Sequence, residues 1–300
     1  LSSRVRVYAE LVGSVALWGG TWVSGRMLAQ DMGPFSAAFL RFLAASAFLF
    51  FLSCRTEGRL PRLHLRDLPQ LTLLGLFGVS LYNYMFFSGL KTVPAGRAAL
   101  MIACTPTVMA VYAALFRGER LGLVRFSGIL LSLCGAAVLL SHGDPLHLFT
   151  SGVRPGDLFI VGCVFSWAAY SLLGGTVMAR MTPLSAVTWS CILGMVLLLP
   201  ASLSQGLAAD VARANLTDWG NLLFLGVAAT GVAFTWYYRG IRELGASRAG
   251  VFINLVPVFA VFLGWAILDE PIGLSLVTGA VLVLCGVWLT NRKPKAKAAA

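Results

Sequence analysis

Arg41 is the one full charge that falls well inside an apolar stretch of this 300-residue chain. Other apolar stretches hold two amides, Asn83 and Asn254, a hydroxyl, Thr105, and a set of large side chains: Trp18, Tyr82, Tyr84, Met101, Trp167, Tyr170 and Trp189. These groups make hydrogen bonds, π contacts and one charge pairing, and none of them is a nucleophile poised beside a base. Their chemistry is reversible capture of a small molecule, in which polar groups fix orientation and apolar walls supply contact area. Each also has a plainer reading. Arg41 could grip a carboxylate, tie helices together, or snorkel its head outward. The two amides could line a cavity or bond one helix to another, and each ring could wall a cavity or simply pack.

The missing chemistry narrows the class. His64, His142 and His147 all fall in polar breaks, and no spacing suits a metal. Cys54, Cys104, Cys134, Cys163, Cys191 and Cys285 are scattered without a CxxC pair and read as small packing residues. No Ser/His/Asp set and no phosphate-binding glycine loop is present, so neither hydrolysis nor ATP turnover is expected, and no cofactor is implied. No Asp or Glu lies at mid-stretch; Glu10 comes nearest, as a proton site or as a solvated side chain at the membrane edge. The expectation is a non-enzyme driven by its substrate gradient.

The elements that must position these residues follow from composition. Of all residues 58% are hydrophobic and 12% charged, about half the charge of a soluble domain. The apolar residues fall into stretches long enough to cross about 30 Å of hydrocarbon. Ten spans are expected, near 7–28, 34–53, 69–90, 95–115, 121–141, 156–178, 183–203, 218–238, 246–268 and 272–290. The chain reads as an all-α integral membrane protein. Putting both termini and the even-numbered loops on one side gathers 17 Lys and Arg there, against 5 on the other. The positive-inside rule makes that side cytoplasmic. The net charge of +11 then faces anionic lipid and calls for no nucleic-acid partner. Trp219, Trp265 and Trp288, near span ends, read as interfacial anchors.

The spans repeat. Shifted by 151 residues, Pro106 meets Pro257, Glu119 meets Glu270, Gly128 meets Gly279, and Cys134-Gly135 meets Cys285-Gly286. Nearer the start of each half the shift is 149, and Trp18 meets Trp167. Residues 1–145 and 146–300 thus read as two copies of a five-helix unit. An odd number of spans sets the copies upside down relative to each other, an arrangement frequent in secondary transporters, with a central cavity between the halves. Pro106 and Pro257 would remove the amides that serve the carbonyls of Ile102 and Ile253, bending their helices as hinges or as packing kinks. Glu119 and Glu270 read as helix caps or local ion pairs at the water interface.

The stretch "LWGGTW" in the first span, "FLRFLAA" in the second, and the paired Pro…Gly-Glu and Pro…Asp-Glu elements resemble the drug/metabolite transporter superfamily, in its ten-helix type with two EamA-like units. The likeness runs from about Tyr8 to Leu289 and is strongest to bacterial exporters of amino acids, aromatic ones included. It implies a multi-pass protein of the bacterial inner membrane, monomeric or weakly dimeric, that exports small metabolites by alternating access. A gated channel and a proton-coupled exporter of lipophilic drugs are the rival expectations.

Overall fold

The computed structural model describes residues 3–57, 63–116, 118, 122–141, 143–144, 153–177, 180–244 and 246–291. Glu119, His142, His147, the arginines at 59, 62, 117 and 120, and the basic tail lie outside the described residues. Every regular element among the described residues is helical. We number the principal helices α1 (Ser3–Asp31), α2 (Pro34–Glu57), α3 (Leu65–Leu90), α4 (Ala95–Phe116), α5 (Leu123–Leu140), α6 (Pro155–Val177) and α7 (Pro183–Ser204). A short helix, Leu207–Arg213, leads into α8, which runs through Leu216–Leu223, Phe224–Val232 and Ala233–Leu244. Two pieces, Ala246–Ile253 and Val256–Leu268, make α9, and Leu274–Thr290 is α10.

Among the described residues seven helices, α2 to α8, are long and apolar enough to cross a membrane, and the second piece of α9 and all of α10 are shorter apolar helices. At 29 residues α1 has the length, about 43 Å at 1.5 Å per residue, and carries Arg6, Glu10 and Arg26 along it.

Neither proline kinks a continuous helix. α4 stops at Ile102, turns through residues 103 and 104, and restarts at Thr105; α9 stops at Ile253, turns through 254 and 255, and restarts at Val256. Pro106 and Pro257 are each the second residue of the new helix, where a missing amide proton costs nothing. In a continuous α4 the amide of residue 106 would serve the Ile102 carbonyl; here the Thr105 hydroxyl donates to it at 2.7 Å.

Two further irregularities stand at matching places. α3 winds as a π-helix over Gly75–Leu81 and α8 does so over Phe224–Val232. Wider winding frees backbone carbonyls for neighbours. Ser166 of α6 donates to the Phe77 carbonyl at 2.7 Å, and the Trp18 indole of α1 donates to the Ala229 carbonyl at 3.0 Å. Within each segment a hydroxyl reaches back five residues, Ser80 to Gly75 and Thr230 to Leu225.

Contacts between helices recur with the offset of the sequence repeat. The Ser14 hydroxyl donates to the Ala233 carbonyl and the Cys163 thiol to that of Tyr82. Gly89 abuts Ile160 as Gly240 abuts Leu11. Helix α5 lies along α10 on small residues, and a Cβ at Gly128 would come within 2.5 Å of the Thr290 nitrogen. Close backbone approach of this kind is how helices associate where no water drives them together.

Candidate functional site

Polar contacts define the two ends of the bundle. At the basic end Arg239 of α8 meets Glu10 of α1 at 2.7 Å, and Arg180 meets Asp67 at 3.4 Å. At the opposite end Glu270 accepts from the backbone amides of Ala95 and Gly96, at 2.7 and 3.2 Å, and pairs with Arg26 at 3.1 Å. It therefore caps the first turn of α4 from across the molecule, instead of capping its own helix, because the break after Leu268 carries the carboxylate past its own helix end. Arg97 and Asp157 meet there at 3.1 Å, and the Gly33 amide donates to Asp210 at 3.2 Å. Glu10, expected to be solvated, is held by Arg6 and Arg239 with 11% of its side chain exposed. α8 passes close enough to α1 for Arg239 to reach it.

A cleft of about 380 Å³ lies toward the basic end between α2, α7 and α8. Leu49, Leu52 and Thr56 form one wall and Thr182, Pro183, Leu184 and Val187 a second; Gly231, Phe234, Thr235 and Arg239 form the third. The surface is chiefly apolar, with three hydroxyls and a guanidinium. None of the eleven residues singled out as cavity lining in the sequence is among these. A signal for the third wall was present: with the 151-residue shift, Phe234 stands where Asn83 does in the first copy.

The singled-out residues fall into several groups. Rings from α1, α3 and α6 form a chain: Trp22 to Phe86 (5.1 Å between centroids), Phe86 to Tyr82 (6.0 Å), Tyr82 to Trp167 (5.4 Å) and Trp167 to Tyr170 (5.0 Å). Against this chain Arg41 reaches from α2. Its Nη1 donates to the Asn83 side-chain oxygen at 2.9 Å, and its guanidinium lies 5.7 Å from the Phe86 ring centre. Asn83 is 1% exposed, and its own amide donates to the Val79 carbonyl at 2.8 Å, which fixes which end of the side chain faces Arg41.

The others lie apart. Trp18 turns toward α8, against Phe234 (5.3 Å) and Tyr237 (5.1 Å). Tyr84 stacks on Phe35 at 4.5 Å and meets Phe159 edge-on, and Trp189 packs beside Leu71, Leu74 and Ala186. Met101 is a core residue, Thr105 is occupied by its own helix, and half-buried Asn254 stands in the turn of α9. Trp219, Trp265 and Trp288 are exposed on the outside of the bundle. Among the described residues no group of three or more His, Cys, Asp or Glu could hold a metal.

The chain matches the EamA-like transporter family twice, over residues 7–141 and 154–292. An uncharacterised transporter of Bacillus subtilis, YyaM, is 28% identical over 284 residues, which cover 95% of this chain and 93% of that protein. A probable terminal-alkyne amino-acid exporter of Streptantibioticus cattleyicolor is 30% identical over 284 residues, 94% of this chain and 92% of that one. A protein of known crystal structure superimposes with a TM-score of 0.61 at 22% identity, covering 94% of this chain and 98% of the other, a likeness of fold alone.

Proposed function

The chain belongs to the EamA-like transporter family, and on that premise we propose that it exports small metabolites, amino acids and aromatic ones among them, across the bacterial inner membrane by alternating access. Its ten helices act as two inverted five-helix repeats with both termini in the cytoplasm, and the substrate gradient alone drives the cycle. The observation that carries this reading is the cleft between α2, α7 and α8, which lies toward the basic end while Glu270, Asp157 and Asp210 join the two halves at the other end. A carrier loaded from the cytoplasm needs one open and one closed end; a channel needs a path through both. The positive-inside rule assigns the basic end to the cytoplasm. Support for the inverted repeat comes from the matched pairs: two π segments, two helix breaks, and the bonds of Ser14 and Cys163 at offsets of 149 to 151 residues. The relative that is a probable amino-acid exporter supports the substrate class, and so do walls that are apolar with a few hydroxyls, which suit a small molecule with an apolar body.

The test is uptake of labelled phenylalanine into proteoliposomes, with and without a pH gradient. Saturable uptake at zero proton gradient, accelerated by unlabelled phenylalanine on the other side, is the expected result. Flux without saturation or counterflow would mark a channel. Uptake abolished by collapse of the proton gradient would overturn the energetic part.

A further inference from the structure

Among the described residues, five arginines toward the two ends of the bundle reach a carboxylate: Arg6 and Arg239 reach Glu10, Arg26 reaches Glu270, Arg97 reaches Asp157 and Arg180 reaches Asp67, while Arg125 donates to the Thr290 carbonyl. Arg41, far deeper along its helix, has a neutral amide instead. Its Nε is buried with no hydrogen-bond partner. The rings beside it, Phe42 and Phe86, supply π faces and no negative charge. A guanidinium has five donors in a planar fork that matches the two oxygens of a carboxylate. Here one nitrogen is held by Asn83, which Val79 orients, and a donor on another points into a place where no acceptor stands.

Arg41 also lies on the face of α2 that walls the cleft. On α2 the residues Arg41, Ala45, Leu49, Leu52 and Thr56 follow one another at helical spacing, and the last three wall the cleft. Arg41 is two turns past Leu49, about 12 Å along the helix axis. On α7, Val187 walls the cleft, and Cys191 stands one turn further along the helix. Ala45, between Leu49 and Arg41, is a small side chain.

We propose that Arg41 is the carboxylate subsite of this transporter, with Asn83 as its positioning residue and the half-buried Tyr82 ring as the surface for the substrate's apolar body. This rests on the amino-acid reading and sharpens it. The group recognised is the carboxylate, the substrate amine is dispensable, and organic cations are excluded by a fixed positive charge that no carboxylate among the described residues neutralises. A merely structural Arg41 would tie α2 to α3 through Asn83 and be indifferent to a ligand's charge.

Three probes of equal bulk separate these roles: phenylalanine, 3-phenylpropionate (no amine) and phenylalaninamide (no carboxylate). They compete against labelled phenylalanine in counterflow with the full chain in proteoliposomes. The acid should compete about as well as phenylalanine and the amide at least about tenfold more weakly, the worth of one charge-assisted hydrogen bond. Arg41→Gln should weaken phenylalanine at least about tenfold and erase the difference between acid and amide, with Arg41→Lys keeping part of it. Asn83→Asp guards against misfolding of Arg41→Gln. It keeps the tie between α2 and α3 and places a permanent carboxylate on the guanidinium, so it too should erase the difference. An amide that competes as well as the acid in the wild type overturns the subsite, and so does a difference that survives both substitutions. Failure of the wild type to carry phenylalanine would instead overturn the amino-acid reading. The subsite would then be judged by melting of the purified protein: protection by 3-phenylpropionate that Arg41→Gln abolishes supports it, and no protection of the wild type overturns it.

Discussion

Arg97 and Asp157 face each other 3.1 Å apart with 7% and 2% of their side chains exposed, which makes them the most buried ion pair among the described residues. Two charges withdrawn from water regain through their attraction roughly what they lost in hydration, so the pair adds little net stability. Removal of one partner is another matter, because the survivor is a charge buried in an apolar bundle. Asp157→Leu should destabilise by about 3–5 kcal/mol, and Arg97→Met by a similar amount. The double substitution should melt nearer to the wild type than either single change, because no orphan charge is left. Melting of the four proteins in detergent measures this; losses that simply add would show that the pair is not energetically coupled. Arg41 differs in having a neutral partner from the outset, and its charge persists as a property of the site.

At the scale of the helix, the interruption of α4 makes a sharper claim than a bend would. Pro106 has no amide to give the Ile102 carbonyl, and the Thr105 hydroxyl takes its place at 2.7 Å. Thr105→Val should therefore cost about 1 kcal/mol, the usual worth of such a bond. In a Pro106→Ala background the alanine amide can serve Ile102, and the same change should cost close to nothing. Pro106→Ala alone should leave stability level or slightly raised while it slows transport, because α4 can then run through its break. A double-mutant cycle on melting tests the coupling; an equal cost for Thr105→Val in both backgrounds would refute it. α9 has Val256 at the matching place, with no hydroxyl, so this relay belongs to the first copy.

The same helices show what the sequence could and could not carry. The positions of the seven helices long and apolar enough to cross a membrane followed from hydrophobic length, and the prolines and the repeat pointed to the places of both breaks, though as bends in continuous helices. The π segments left no mark on composition: "GLFGVSL" and "FLGVAATGV" read as ordinary apolar helix, and their winding is accompanied by bonds from the Ser80 and Thr230 hydroxyls and from neighbours that donate to the freed carbonyls. Rotation of a helix about its own axis was likewise beyond reach. Tyr82 and Tyr84 are two residues apart, and one faces Trp167 while the other faces Phe35. Arg41 and Asn83 stood out as polar residues in apolar surroundings, but their meeting depends on how α2 packs against α3. The cleft walls escaped because Leu49, Leu184, Val187 and Phe234 are unremarkable apolar residues whose common feature is position.

For the whole molecule, the proposed alternating access would require the end now joined by Gly33–Asp210, Arg26–Glu270 and Arg97–Asp157 to part in every cycle. Gly33 and Asp210 lie on opposite halves and are the simplest of these contacts to make permanent. A Cβ built on Gly33 would lie 3.0 Å from an Asp210 carboxylate oxygen and 4.0 Å from its carbon, so cysteines at the two positions fall within reach of a disulfide. In a background with the six native cysteines replaced, Gly33→Cys with Asp210→Cys should cross-link under mild oxidation. The oxidised protein should lose counterflow almost entirely and recover it on reduction, because the closed end can no longer open. Substrate should still enter through the cleft between α2, α7 and α8, so that phenylalanine protects the oxidised protein against heat as it does the reduced one. Each single cysteine variant should transport normally under the same oxidant. Full counterflow in the cross-linked protein would mean that this end does not open, and transport would then have to pass by a route that leaves the joined end closed.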